Sequence, residues 1–170
     1  MSPDGGKWIW LREGAAFENS PGGHMYFRKH FTPAADKTVS RVMVGFTADD
    51  KVTLYVNGTE CGYNGSWSTG TLVDVTDKIV AGDNVLAYDA INDTNGYAGL
   101  LSKVKIDYTD GTSDEFVTDD NGWLVSKSNP DGWTNPNFED ADWKAPDQTD
   151  KEYGVGPWNR GAVFKLNDPN

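Results

Sequence analysis

The sequence predicts an all-β protein, an antiparallel β-sandwich of the jelly-roll type. Three observations support this prediction. Apolar residues alternate with polar ones at residues 41–46 and 52–56, which is the period of two of a half-buried strand. The 19 glycines and 8 prolines are scattered along the chain, as many short turns require. No segment longer than a turn or two shows helical periodicity. About ten short strands are therefore expected.

Strand signals follow one another along the whole chain. Residues 7–11 and 25–31 are rich in aromatic side chains, and Pro33 ends the second of these strands. After the alternating pair, Asn57-Gly58 is a hairpin turn dipeptide, because both residues tolerate positive φ. Further strands are predicted at residues 84–91, 103–108, 115–117 and 123–126, with a short strand and turn inside 72–83.

Three of these segments carry more specific expectations. Residues 84–91 are almost continuously apolar, so this strand should be covered on both faces. Residues 128–160 look irregular, with room for one helical turn at 137–143. A final strand is predicted at 162–166, pairing near the first one.

Length and composition favour one folded domain over residues 1–170. The chain is 37% apolar and has seven each of Trp, Tyr and Phe, an aromatic content that disordered chains lack. The net charge of −11 argues against nucleic acid or anionic membrane surfaces as partners. Solubility is a sufficient reason for the acidic composition. The same negative charge would also accommodate one or two cations bound through oxygen ligands.

The cysteine content and the hydropathy of the chain exclude several kinds of structural feature. Cys61 is the only cysteine, so an internal disulfide and a CxxC zinc site are excluded. No apolar run is long enough for membrane insertion. The N-terminus lacks the pattern of a signal peptide, which leaves a soluble cytoplasmic or secreted location open. The sequence does not reveal whether Cys61 is exposed or whether the chain forms oligomers.

The acidic pair Asp49-Asp50 lies at the bend between the two alternating strands. Calcium prefers carboxylate, amide and carbonyl oxygens, and adjacent carboxylates repel one another unless a cation or hydrogen bonds offset their charge. The pair is therefore a candidate for holding both a calcium ion and a sugar. The alternative is an ordinary solvated acidic turn.

Two further turns are rich in oxygen ligands. Asn92 and Asp93 begin an Asn-Asp-Thr-Asn-Gly run that could complete a calcium shell or bind sugar hydroxyls, and Asn92 is a candidate for both tasks. A plain turn explains the run equally well. Residues 119–122 could hold a second, structural ion, although a simple turn is favoured there.

Besides oxygen ligands, a sugar site needs aromatic residues, and the loops carry several. Trp67 lies in a Gly/Ser/Thr loop, and the C–H face of a sugar packs well on an indole ring. The alternative is that Trp67 closes one end of the core. Tyr63, Asn64 and Tyr97 are looser sugar-binding candidates. Packing roles are expected for Trp8, Trp10, Trp123, Trp133 and Trp143, while Trp158 could serve either purpose.

Catalytic patterns are not evident. His24 and His30 have no metal-site spacing, and no nucleophile elbow or phosphate-binding loop occurs. Arg28 and Arg160 could donate to sugar hydroxyls, but ion pairs with the many carboxylates are favoured. A non-catalytic protein is therefore expected.

A series of sequence pieces resembles a known group of domains. The pieces are FRKHF at 27–31, FTADDKVTLYVNG at 46–58, Trp67, DVTDKIVAGDNVLAYDAIN at 74–92, AGLLSKVKI at 98–106 and a Trp-rich tail at 118–146. Their order resembles the galactose-binding-like jelly rolls of bacterial and fungal glycosidases. It is similar in particular to the calcium-dependent rhamnose-binding modules of α-L-rhamnosidases, and to stand-alone fungal lectins of the same fold.

The resemblance implies a calcium-dependent lectin or carbohydrate-binding module that binds a mono- or oligosaccharide, with L-rhamnose or galactose as candidate sugars. In those modules an Asp-Asn pair at the position of Asp49-Asp50 is implicated in holding calcium and sugar. Asp50 departs from that pattern, which keeps an oxygen ligand but removes an amide donor. Two alternatives stay open: a small jelly-roll polysaccharide lyase or glycosidase, and an accessory domain of a larger glycosidase that binds nothing.

Overall fold

The structure is a computed structural model that describes residues 1–12, 14, 19–152 and 164–166, with residues 148–152 and 164–166 described as backbone only. Trp158 and Arg160 lie outside the described residues. Within this part of the chain, no helix is long and apolar enough to cross a membrane.

The described strands form two sheets that pack as a β-sandwich, so the predicted all-β fold is confirmed. The larger sheet has seven strands: β1 (Lys7–Trp10), β3 (Val39–Asp49), β6 (Gly70–Asp74), β8 (Gly99–Tyr108), β9 (Ser113–Val117), β11 (Asp147–Glu152) and β12 (Phe164–Leu166). The smaller sheet has five: β2 (Gly23–Phe31), β4 (Lys51–Val56), β5 (Thr59–Asn64), β7 (Asn84–Asn92) and β10 (Trp123–Ser126).

Strand order brings distant parts of the chain together. The larger sheet runs β11-β1-β8-β3-β6-β12, with β9 also paired to β8, and the smaller runs β10-β2-β7-β4-β5. The pairs are antiparallel except β6 with β12, which is parallel. A 3₁₀ turn at Thr76–Lys78 follows β6.

The core lies between the sheets and follows from the period of two. Val52, Leu54 and Val56 point inward from β4 and are at most 1% exposed, while the side chains between them face outward. The same alternation places Phe27 and Tyr88 in the core. The Tyr88 hydroxyl contacts Ser102 Oγ at 2.7 Å, and burial raises the pKa of Tyr88 far above its ordinary value.

The chain crosses from one sheet to the other at the acidic pair. Asp49 ends β3 in the larger sheet, and Lys51 begins β4 in the smaller one. The peptide bond between Asp49 and Asp50 is cis. After β4, Asn57 at φ 49° and Gly58 at φ 89° turn the chain into β5, so the predicted hairpin turn is confirmed.

The outer face of the smaller sheet is covered by residues 128–146. Arg28 points outward from β2, yet it is 0% exposed because this segment packs over it. Its guanidinium lies 5.1 Å from the ring of Phe138, and Trp133 packs against Tyr26 with ring centroids 5.1 Å apart. This cover explains why β7 is buried on both faces, as its apolar sequence predicted.

Several sequence predictions were wrong in detail. Residues 137–143 form turns and bends instead of a helical turn. Strands β5 and β11 were not predicted, and the last strand pairs with β6 instead of near β1. Local hydrophobic periodicity contains no information on these long-range pairings, and β5 is an edge strand with little apolar alternation.

Candidate functional site

Two sequence-predicted loops, together with residues 20–22, meet at one end of the sandwich. The Asp93 N–H donates to Asp50 Oδ2 at 2.8 Å, and the Asp50 N–H donates to the Ile91 carbonyl at 2.7 Å. Ser20 and Gly96 exchange two backbone hydrogen bonds of 2.9 Å each. The bend after β3 and the loop after β7 are therefore in direct contact, as a shared binding site requires.

The carboxylates at this end differ in their partners. Asp50 is half-buried, and its Oδ1 accepts no hydrogen bond from the described residues. The carboxylate of Asp93 lies 3.3 Å from Lys51 Nζ. Among the described residues, no three His, Cys, Asp or Glu side chains lie close enough together to hold a metal ion by themselves. A cation here would also need carbonyl, amide or ligand oxygens.

Asn92 is placed inside the site rather than on its surface. It is 2% exposed, and its Nδ2 donates to the carbonyls of Ser20 and Pro21 at 3.1 Å each. The side chain thus holds residues 20–22 against the end of β7. This burial favours a positioning role over the direct sugar contact predicted from the sequence.

Asn64 is also buried, and its hydrogen bonds hold the loop at residues 64–69 in place. It is 6% exposed, and its Oδ1 accepts from Thr47 Oγ1 and the Ser66 N–H at 3.1 Å each. Its Nδ2 donates to the Thr69 carbonyl at 2.7 Å. Because these bonds use both ends of the amide, Asn64 fixes the loop and is poorly placed to contact a ligand.

Tyr63 and Tyr97 are the exposed aromatic residues among the candidates. Tyr63 is 53% exposed and Tyr97 is 42% exposed. A Cβ built on Gly65 would approach the Tyr63 hydroxyl to 2.9 Å, so the Tyr63 ring lies directly over this glycine. Tyr63 therefore leans towards the loop that Asn64 fixes, and about half of its surface stays exposed.

Trp67 is half-buried in a second, smaller apolar cluster. It packs with Leu72 and Met1 against Trp8 and Leu101. Leu101 pairs with Thr47 on β3, two residues before Asp49, so Trp67 lies at the same end of the sandwich as the acidic pair. One part of Trp67 is therefore packed, and the other is accessible to solvent.

The third oxygen-rich turn, at residues 119–122, has an ordinary explanation. The Asn121 N–H donates to Asp119 Oδ1 at 2.8 Å, and Lys29 Nζ donates to the Asn121 carbonyl at 2.6 Å. These bonds stabilise a turn by local contacts.

Arg28 and the two histidines have carboxylate partners. Arg28 Nε donates to Asp140 Oδ2 at 2.9 Å, so the predicted ion pairing of Arg28 is confirmed. His30 contacts Asp140 at 2.7 Å and Asp83 at 2.9 Å. His24 Nδ1 contacts Asp89 Oδ1 at 2.7 Å. The sequence did not indicate the pairing of either histidine, because each partner is far away in the chain and only the tertiary structure brings it close.

Known proteins share this architecture. An α-L-rhamnosidase of Streptomyces avermitilis is 29% identical over 168 residues, which are 95% of this chain and 16% of the enzyme. The crystal structure of a Streptomyces avermitilis α-L-rhamnosidase complexed with L-rhamnose superposes with a TM-score of 0.87 at 27% identity, over 96% of this chain. The resemblance to rhamnosidase modules is confirmed.

A fungal lectin is similar to the same degree. The lectin of Pleurotus ostreatus, solved without ligand and in complex with GalNAc, superposes with a TM-score of 0.86 at 28% identity. The match covers 97% of this chain and 47% of the lectin. The chain therefore spans about a sixth of the bacterial enzyme and less than half of the lectin. No protein-family model matches the chain.

Proposed function

We propose that this chain is a non-catalytic carbohydrate-binding domain, a lectin or binding module, whose site is the loop end built by Asp49, Asp50, Tyr63, Trp67 and Tyr97. The contact between Asp50 and the loop after β7 carries this proposal, because it joins the acidic pair to the second predicted loop. The similarity to an L-rhamnose-complexed rhamnosidase and to a GalNAc-binding lectin supports carbohydrate as the ligand class. L-Rhamnose and galactose-type sugars are the first candidates.

In this proposal each group has a physical task. Tyr63 presents an open ring face to the C–H groups of a sugar, with Trp67 and Tyr97 as further aromatic contacts. The carboxylates of Asp49 and Asp50 accept hydrogen bonds from sugar hydroxyls. Buried Asn64 and Asn92 hold the two loops in place. A shallow site of this kind gives roughly micromolar to millimolar affinity, so oligomers or repeated sites would strengthen binding.

Calcium belongs to the proposal as a ligand-bridging ion. The donor chemistry fits in type, since Asp49 and Asp50 offer hard oxygens and Asp50 keeps an oxygen without a hydrogen bond from the described residues, while the Asp93 carboxylate pairs with Lys51. The ion would supply positive charge at the site, and hydroxyl groups of the sugar would coordinate it. The carboxylates alone do not form a complete shell, so the sugar itself or backbone carbonyls would fill it.

Thermal unfolding with calcium or EDTA, each with L-rhamnose, galactose and N-acetylgalactosamine, tests both parts. A ligand that binds only the folded state raises the midpoint by mass action. A rise with one sugar that requires calcium supports the full proposal, while a rise with sugar in EDTA supports binding without the ion. If neither calcium nor any sugar moves the midpoint, the supporting-domain alternative replaces it.

The Asp49→Ala variant tests the location of the site. About a ten-fold or greater loss of sugar affinity is expected, with the fold intact. Unchanged sugar affinity would show that the site lies elsewhere.

A further inference from the structure

A row of outward-facing side chains crosses four strands of the smaller sheet. Tyr63 of β5 pairs with Thr53 of β4. Thr53 pairs in turn with Asp89 of β7, and Asp89 pairs with Tyr26 of β2. Directly paired residues of antiparallel strands share a face, and Tyr88 beside Asp89 points into the core, so the row lies on the outer face. Because neighbouring strands are about 4.8 Å apart, the row spans about 14 Å.

Residues 128–146 cover only part of this outer face and end beside the row. Ala87 points outward from β7 and is 0% exposed, whereas the side chain of Asp89, two residues further along, is 24% exposed. Trp133 packs against both Tyr26 and Tyr55, with ring centroids 5.1 Å and 5.8 Å apart. The row is therefore a shallow strip with an aromatic border.

His24 and Asp89 form an oriented polar pair on this strip. The His24 ring stacks on Tyr26, with centroids 5.9 Å apart and an interplanar angle of 16°, which places it over the row. Its Nδ1 lies 2.7 Å from Asp89 Oδ1, and an ionised carboxylate only accepts, so Nδ1 carries the proton. Asp89 Oδ2 and His24 Nε2 have no hydrogen bond from the described residues. Both atoms are acceptors for a ligand when the imidazole is neutral.

Aromatic groups surround the polar pair. Tyr63 is 53% exposed and the His24 side chain is 49% exposed, so both rings are accessible to a ligand. Burial, followed by the negative charge of Asp89, raises the pKa of Tyr26. Burial is also the main cause that raises the pKa of Tyr55. Both phenols therefore stay neutral and keep a hydroxyl donor.

The strip is continuous with the proposed loop site. The Tyr63 ring lies over Gly65 in the loop at residues 64–69, while the Tyr63 backbone pairs with Thr53 in the row. Asp50 of the acidic pair directly precedes Lys51, which begins β4 two residues before Thr53. A ligand longer than one sugar ring can therefore contact the loops and the strip together.

The chemistry of the strip selects a neutral, polyhydroxylated ligand. The Asp89 carboxylate repels anions. Strands β2, β7 and β4 are each paired on both sides, so the strip has no free sheet edge to which an extended peptide could add. Accessible rings beside hydrogen-bond acceptors match successive pyranose rings, which have apolar C–H faces and hydroxyls at their edges.

We propose that this strip is a second sugar-binding surface, so that the domain recognises a glycan of two or more residues that runs from the loop site across the outer face of the smaller sheet. This inference rests on the proposed function. It assigns Asp89 and His24 as direct sugar contacts and Tyr63 as the ring shared by the loop site and the strip.

Calorimetric titration with matched ligands tests this surface. The probes are the methyl glycosides of L-rhamnose and N-acetylgalactosamine, a trisaccharide of L-rhamnose, and a disaccharide of galactose linked to N-acetylgalactosamine. The wild type should bind at least one oligosaccharide about five-fold or more tightly than the matching methyl glycoside. Asp89→Asn keeps an oxygen for the His24 N–H but replaces the other carboxylate oxygen by an amide that only donates. It should abolish this gain and leave methyl glycoside affinity unchanged.

Asp83→Asn is the matched control. Asp83 also bonds a histidine, His30, which lies further along β2 on the same face and away from the strip. The variant removes the same charge and should keep the full gain. Imidazole NMR signals give a second measurement, in which the oligosaccharide should shift the signals of His24 and leave those of His30 in place.

The outcomes separate this surface from the loop site. Equal affinity of the wild type for both ligands of each pair, or a full gain in Asp89→Asn, would overturn the surface. In either case methyl glycoside binding by the wild type would still support the proposed function. Oligosaccharide binding that survives Asp49→Ala but is lost in Asp89→Asn would support the surface and refute the loop site. No binding of any sugar would refute both proposals.

Discussion

Asp93 donates its backbone N–H to Asp50 Oδ2 at 2.8 Å, which joins two loops that are 43 residues apart in the chain. The bond holds one carboxylate oxygen of Asp50, and the other accepts no hydrogen bond from the part of the chain that the structure describes. It also brings two of the oxygen-rich motifs of the sequence into one place.

Replacing Asp50 by Asn removes the negative charge of this side chain but keeps its shape. The amide oxygen can still accept the Asp93 N–H, so the unfolding midpoint in EDTA should stay close to that of the wild type. Calcium-dependent sugar affinity should stay within about three-fold of the wild type, because the amide oxygen remains a ligand for the ion. Titration in calcium measures this, with Asp119→Asn in the unrelated turn as the control. A loss of about ten-fold or more in Asp50→Asn would mean that the charge of Asp50, and not only its oxygen, is needed in the site.

Gly65→Ala should displace the Tyr63 ring. The new Cβ would meet the Tyr63 hydroxyl at 2.9 Å and Cε1 at 3.2 Å, and this exposed ring can swing away at little cost in stability. Sugar affinity should drop by about the same few-fold factor as in Tyr63→Ala. The double variant should bind no more weakly than Tyr63→Ala alone, because both changes remove one contact. Additive losses would mean that Gly65 acts independently of Tyr63.

Asp140→Ala should destabilise the cover over the smaller sheet. It leaves the fully buried Arg28 guanidinium without its carboxylate partner. Breaking a buried pair costs about 3–5 kcal/mol, and a loss of about 2–4 kcal/mol is expected here because Asp140 is 19% exposed. Urea unfolding measures the loss. Asp83→Ala is the matched control, since it removes the 51% exposed partner of His30 and should cost under about 1 kcal/mol.

The carboxylate of Asp140 should also make the free energy of unfolding depend on pH. Burial by itself would raise the pKa of Asp140, but hydrogen bonds from His30 and Arg28 outweigh it and hold the pKa below its ordinary value. Asp140 therefore stabilises the fold above the unfolded-state pKa of about 3.9, and this contribution is lost as the pH falls through the lower folded-state pKa. The difference in unfolding free energy between wild type and Asp140→Asn should shrink steadily below about pH 4. A constant difference from pH 7 to pH 2.5, measured by urea unfolding, would contradict this assignment.

The sequence was informative wherever local physics decides the outcome. Alternation at 52–56 predicted which side chains of β4 face the core, and Asn57-Gly58 predicted the hairpin turn through its tolerance of positive φ. The ordered motifs also indicated the rhamnosidase-module and fungal-lectin resemblance that the structural comparison confirms. The Asp49-Asp50 bend was expected between two strands, and it does link β3 with β4.

The tertiary structure alone decided which of these pieces meet. Placing β7 between β2 and β4 brings Asp89 to His24, and the pairing of β3 with β8 brings Gly99 beside Asp49. The same folding buries Asn64 and Asn92, which look like surface ligands in the sequence, and hides Arg28 beneath residues 128–146. The physical reason is that strand order and burial arise from contacts between distant residues, whereas a period of two specifies only the two faces of a strand.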